Sequence, residues 1–278
     1  TVYSGRGATS SSMWYPYQNI EGSPFADKRV RQAFALAINR DAIAERLYNG
    51  EGGATSSFFS GPGSFGFNEE ISGYAYDPDK AKALMEEAGY GDGFKVLIVT
   101  YSYDADFPDM PTLSQAVLGD LQELGIDGTV QVKEWTAVKQ HMVDMLQKVC
   151  GGDTVWCLDN PAHPEVAFEE PYNLILRGND TRFHALRQNR GYMHPDGRRP
   201  FIQVQWLMDE MDKVAAQFDF GVQEEMFKEY NRKVNEEYIQ NLLLYANSVF
   251  GASDKIGDWQ PITGRTYPNN QWTLKPAQ

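Results

Sequence analysis

The chain has 278 residues, a formal net charge of −13 and a pI near 4.8. That length holds one or two domains with ample material for an apolar core, and the acidic balance repels phosphate backbones, which excludes general nucleic-acid binding. No stretch approaches the roughly 20 apolar residues that a membrane-crossing helix needs. Residue 1 is Thr and the sequence holds no signal peptide, which reads as a mature or partial chain.

Residues 1–23, rich in Ser, Gly and Tyr, carry no clean period and read as an extended lead-in. Asp27 then caps a predicted helix with Val30, Phe34, Ala37 and Ile38 at helical spacing, and Asp41 is expected to cap a second, ending near Gly50. Residues 50–75 read as a Gly-, Ser- and Phe-rich loop. Asp77-Pro78 sets a helix start, with Ala81, Leu84, Met85 and Ala88 on its apolar face and Gly89 at its end. Phe94–Thr100 reads as a buried strand, Thr112–Leu124 as a helix closed by Gly125, Thr129–Lys133 as a strand, Trp135–Val149 as a helix and Val155–Leu158 as a short strand. Residues 160–205 hold five prolines and no period. A loop that long is functional or hides an element. Trp206–Phe218 and Val222–Gln240 read as helices, the second with Phe227, Tyr230, Val234 and Tyr238 on one face, and Asn241–Phe250 as a strand. The alternation predicts an α/β layer structure.

Few residue patterns carry enzyme chemistry. Gly61-Pro62-Gly63-Ser64-Phe65-Gly66 matches G-x-G-x-x-G but lacks the preceding strand and following helix that a dinucleotide site requires. His141, His163, His184 and His194 are scattered, so no metal site or cofactor is expected. Cys150 and Cys157 fit no zinc motif and leave open one disulfide or two buried thiols. The cluster Arg177, Arg182, Arg187, Arg190, Arg198 and Arg199 reads either as a carboxylate clamp or as a solvated loop paired to the acidic excess, and the solvated loop is preferred. Asp153–Asn160 is an apolar strand ending in polar residues. Trp156 there offers a stacking face and Asp159 an acceptor for a cation, against the plainer reading of a core Trp and a turn-capping Asp.

Three segments resemble the family 5 extracytoplasmic solute-binding proteins, the dipeptide/oligopeptide-binding class. Pro24-Phe25-Ala26-Asp27-Lys28-Arg29-Val30-Arg31-Gln32-Ala33, running on to Ala37-Ile38-Asn39-Arg40-Asp41, is similar to P-F-x-D-x-R-V-R-Q-A…A-I-D-R. Tyr76-Asp77-Pro78-Asp79-Lys80-Ala81-Lys82 with Ala88-Gly89-Tyr90 is similar to Y-D-P-x-K-A-K…A-G-Y, and Leu121–Ile126 to L-x-x-I-G-I. The resemblance implies a lobe of the type II periplasmic-binding-protein fold. In its terms 1–23 is a crossover, 24–240 the C-terminal α/β lobe and 241–278 a tail returning to an N-terminal lobe. It also implies a non-enzymatic, monomeric, periplasmic or extracytoplasmic protein, tied to the membrane through a lipid anchor upstream, that captures an oligopeptide-like solute and delivers it to an ABC permease. An oligosaccharide solute, or a stand-alone interaction domain, is the alternative. Trp156-Cys157-Leu158-Asp159-Asn160 resembles the W-C-x-D-Y segment of oligopeptide binders, which makes Asp159 the acceptor of a ligand α-ammonium. Asn160 stands where Tyr is usual. Trp156, Asn160, Trp14 and Tyr17 complete the expected ligand-binding set.

Overall fold

A computed structural model describes residues 2–16, 18, 20, 22–55, 65–102, 107, 109–150, 170–180, 202, 204–257, 259 and 275, without the side chains of 6–8, 149, 150, 179 and 180. Among the described residues six strands form one sheet: β1 (Val2–Trp14), β2 (Gly52–Ala54), β3 (Lys95–Tyr101), β4 (Asp127–Lys133), β5 (Tyr172–Asp180) and β6 (Gln240–Gly251), in the order β2-β6-β1-β5-β3-β4. β3 is parallel to both β4 and β5, while β1 runs antiparallel to its neighbours β5 and β6. Among the described residues seven α-helices pack around this sheet: α1 (Lys28–Ala37), α2 (Arg40–Tyr48), α3 (Pro78–Glu87), α4 (Met110–Gln122), α5 (Trp135–Cys150), α6 (Gln205–Ala215) and α7 (Phe220–Glu236). The expected α/β lobe is therefore present.

The helix starts follow from short acceptor side chains. Asp27, Asp77, Asp109 and Asp219 each accept a hydrogen bond from a backbone N–H two or three residues on, satisfying one of the donors that a helix start leaves open. The cap of α2 is Asn39, whose Oδ1 accepts from Ala42 N at 3.0 Å, and not Asp41, which lies inside the first turn. There its charge still favours the positive end of the helix dipole. Left-handed glycines at Gly89 and Gly125 follow α3 and α4, as the sequence leads one to expect. α7 ends before Tyr238, which sits in the following turn at φ 50°.

The alternation of β3 divides the core. Val96, Ile98 and Thr100 share one face. A Cβ on Gly128, level with Val96, would lie 2.5 Å from Leu118 of α4, so α4 covers that face. Leu97, Val99 and Tyr101 share the other, where Tyr101 meets Trp135 of α5 edge-on at 5.2 Å. Beside them an aromatic train runs from Tyr15 through Phe25 and Phe34 to Phe94 and Tyr172, with centroid spacings of 5.0 to 5.8 Å. Phe25 and Phe34 have no solvent exposure. Each such ring contributes about 1.5–3 kcal/mol through burial.

Two arginines of the 24–41 segment are structural. Arg31 donates to the carbonyls of Phe25, Tyr238 and Glu237. Arg40 donates to those of Leu242, Ala35 and Ile38 at 2.8–3.1 Å and to Oδ1 of Asn241, with its guanidinium 5.2 Å from the centre of the Tyr74 ring. Burial lowers the Arg40 pKa to about 10, still above neutral pH, so its charge persists. Both side chains join α1 and α2 to the start of β6.

One element lies where the sequence shows no period: β5, inside the 160–205 stretch. It sits between β1 and β3 and is parallel to the latter. Its Leu174-Ile175-Leu176 run is fully buried. Being covered on both faces, it has no alternation to display. The lead-in is likewise a strand, β1, which pairs with β6 at the centre of the sheet. The ladder between them slips at Ser11, whose hydroxyl fills the gap by donating to Leu244 O and accepting from Leu244 N, both at 3.2 Å.

Candidate functional site

The parallel strands end together. Tyr101 at the end of β3 is level with Lys133 at the end of β4, and Val99 is level with Ile175, which brings Arg177 and Gly178 of β5 beside Tyr101. Carboxyl ends of parallel strands are where open α/β sheets gather ligand-binding groups.

Arg177 dominates this edge. It is only 5% exposed, and its guanidinium carbon lies 5.0 Å from the ring centre of Trp14 and 5.1 Å from that of Trp135. Two indole faces attract the cation through their quadrupoles and hold its plane. Its Nε donates to Gly178 O at 3.2 Å. Gly178 is also tied to Tyr101, whose hydroxyl accepts from Gly178 N at 2.6 Å and lies 3.2 Å from Gly178 O. Only glycine fits there, since a Cβ would stand 2.3 Å from Cβ of Phe107. The sequence preference for a solvated Arg loop is thus corrected at Arg177: a strand places it in the interior, against aromatic rings.

Next to this cluster, His141 of α5 spans β4 and β5. Lys133 Nζ lies 3.2 Å from its Nδ1, and Asn173 Oδ1 lies 2.9 Å from its Nε2. An ammonium can only donate, so Nδ1 accepts and Nε2 carries the proton given to Asn173. Burial first, then the Lys133 charge, holds the His141 pKa below its ordinary value, which keeps the ring neutral. Among the described residues no group of His, Cys, Asp and Glu is arranged to hold a metal, and no helix is long and apolar enough to cross a membrane.

Of the expected ligand-binding residues, Trp14 is fully buried, donates from its indole N–H to Ser12 Oγ at 2.8 Å and backs Arg177. Tyr17, Trp156, Asp159 and Asn160 lie outside the described residues, as do the predicted strand Val155–Leu158, most of the G-x-G-x-x-G segment, Cys157 and the arginines at 182–199. Tyr101, Trp135, Lys133, His141 and Arg177 were not singled out together. The available signal was Leu174-Ile175-Leu176 ending in Arg177-Gly178, an apolar run that stops at a charge and a glycine.

A family model described as bacterial extracellular solute-binding proteins, family 5, matches residues 2–160, more than half the chain. The chain belongs to this family. The dipeptide-binding protein of Escherichia coli (strain K12) is 31% identical over 122 residues, 44% of this chain and 23% of that protein. Heme-binding protein A of Haemophilus influenzae is 30% identical over 143 residues, 51% of this chain and 26% of that protein. Among solved structures, the periplasmic binding protein DppA of Helicobacter pylori in complex with the peptide STSA has a TM-score of 0.70 at 21% identity, covering 100% of this chain and 49% of that one. NikA of Brucella suis in complex with Fe(III)-EDTA has a TM-score of 0.74 at 15% identity, covering 99% and 52%. The matched stretches span about a quarter of these curated relatives, and the chain about half of these solved ones. This family 5 chain therefore shares its fold with half of a periplasmic binding protein, and the proteins that it resembles are named for binding, not for catalysis.

Proposed function

We propose that this chain is a solute-binding lobe of an ABC importer's capture protein, working outside the cytoplasm as a monomer and delivering a peptide-like solute to a membrane permease. The reading rests on one observation: in a chain of this family, the end of β5, beside the end of β3, places a buried Arg177 within 5.0–5.1 Å of two indole ring centres. A zwitterionic peptide asks for two charges. Asp159 accepts its α-ammonium, flanked by Trp156, Asn160 and Tyr17, and the cationic strand-end edge receives its carboxylate.

Native mass spectrometry of the protein purified from its source without added solute tests the reading. A bound species with the mass of a short peptide is expected. A bound sugar or metal complex, or no bound species together with no peptide binding on titration, overturns it. Removal of a buried charge partner costs about 2–5 kcal/mol of binding, so Asp159→Ala is expected to weaken peptide affinity by at least tenfold. Unchanged affinity removes Asp159 from the site.

A further inference from the structure

The pairing of β1 with β6 changes character along its length. From Thr9 to Trp14, β1 has β5 on its other side, and β2 covers β6 at Leu244–Ala246. Beyond that, Val2–Gly5 and Ser248–Gly251 pair with each other and, among the described residues, with no other strand. This outer part is a two-stranded ribbon leaving the sheet. Its outer end is held by aromatic contacts of Tyr3 and Phe250 with Trp259, at 5.3 and 5.4 Å.

The root of the ribbon is irregular. Residues 6–8 of β1 face only Asn247 of β6, because the register passes from Gly5↔Ser248 directly to Thr9↔Ala246. Such a bulge interrupts the ladder, bends the strand and increases its twist, so the ribbon's angle is not set by pairing alone. One side chain spans the break. Glu51 Oε2 accepts from Ser4 Oγ at 2.7 Å on the ribbon side and from Asn247 Nδ2 at 3.0 Å in the bulge, while Glu51 O accepts from Asn247 N at 3.1 Å. Two successive left-handed residues after α2, Asn49 and Gly50, turn the chain to put Glu51 there. Hydrogen bonds from Asn247 and Ser4 hold its carboxyl below the usual range, which keeps the charged acceptor in place at neutral pH.

We propose that Glu51 is a positioning residue: by bonding β1 and β6 at once across the bulge, it fixes the angle at which the ribbon leaves the sheet and so sets how readily the protein closes on solute. The second half of this statement rests on the solute-capture reading above. Closure around a ligand is a population shift between two arrangements, and a bond at the bend biases that balance without touching the ligand.

Hydrogen exchange read by mass spectrometry on this chain tests the clamp in the absence of solute. Glu51→Ala removes both side-chain bonds. Glu51→Gln keeps an oxygen able to accept both. In Glu51→Ala the amides of residues 2–5 and 248–251 are expected to exchange about tenfold faster, the scale of one or two lost charge-assisted bonds, while those of 174–176 hold their rate and Glu51→Gln, which keeps both bonds without the charge, falls between the alanine variant and the wild type. Unchanged ribbon rates overturn the proposal, as does an equal acceleration at 174–176, which would make Glu51 a support of the whole sheet. Titration with trialanine supplies the second arm: Glu51→Ala is expected to shift Kd at least threefold and Glu51→Gln by less. An unchanged Kd beside a loosened ribbon overturns the link to closure. Absence of trialanine binding to the wild type counts against the peptide reading, and the exchange rates then decide the clamp.

Discussion

The parallel half of the sheet, β3, β4 and β5, joins strands that follow one another along the chain, with α4 and α5 between them on opposite faces. The antiparallel half joins the start of the chain to its end: Ser11 of β1 and Leu244 of β6 are 233 residues apart. The two halves treat buried arginine differently. In the antiparallel half Arg40 gives its donors to backbone carbonyls and an Asn side chain, so that it works as a rivet between α1, α2 and β6. In the parallel half Arg177 lies 5.0 and 5.1 Å from the ring centres of two indoles at the strand ends. One cation is spent on architecture. The other is buried at the edge where the strands finish, against aromatic rings.

Breaking the rivet is the strongest test of that contrast. Arg40→Ala would leave several buried carbonyls without donors, at a cost of about 3–5 kcal/mol, read as a large drop in the denaturant midpoint. Arg40→Lys is expected to recover only part of this, because an ammonium cannot reproduce the guanidinium fork. A midpoint within error of wild type for Arg40→Ala would show that the two ends of the chain hold together without it.

A smaller effect is expected at the strand-end edge. Gly178→Ala forces a Cβ into Phe107 and should cost about 1–3 kcal/mol, with altered Trp135 fluorescence as Tyr101 is displaced. In a Phe107→Gly background, which removes the Cβ that it strikes, the same substitution should cost clearly less. Equal costs in both backgrounds would mean that the close approach of Phe107 does not account for the glycine.

The smallest effect is one of pH. His141 has a lowered pKa in the folded protein, so the unfolded chain takes its proton first. Stability should therefore decline as pH falls below about 6.5, the ordinary His value. His141→Gln should flatten this decline while leaving stability at pH 8 nearly unchanged. An identical pH profile in the variant would place the titration elsewhere.

Much of the architecture was legible because it is local. Asp27 and Asp77 mark helix starts by a mechanism that acts within three residues, Gly89 and Gly125 mark the ends, and the β-branched run through Val96, Ile98 and Val99 marks a buried strand. The 24–41 and 76–90 segments carried the family resemblance on the same footing, and the family model confirms it. Asp41 as the cap of α2 was off by two residues, since Asp41 and Asn39 can both cap and only the path of the chain between α1 and α2 selects Asn39.

The candidate site was far less legible. Arg177 in sequence is one of six arginines in a proline-rich stretch, and nothing local distinguishes it. It becomes distinct because β5 slots between β1 and β3, which brings Trp14 from the chain start and Trp135 from α5 to its two faces. Glu51 is similar: an acidic residue after a helix, until β1 and β6 meet beside it. The sequence by itself determined the class of fold, most helices and the family, because capping, periodicity and signature spacing depend on neighbours along the chain. Only the tertiary structure decided which strands lie side by side, where Arg177 is buried and what Glu51 joins, because those contacts form between segments whose separation leaves no periodic trace.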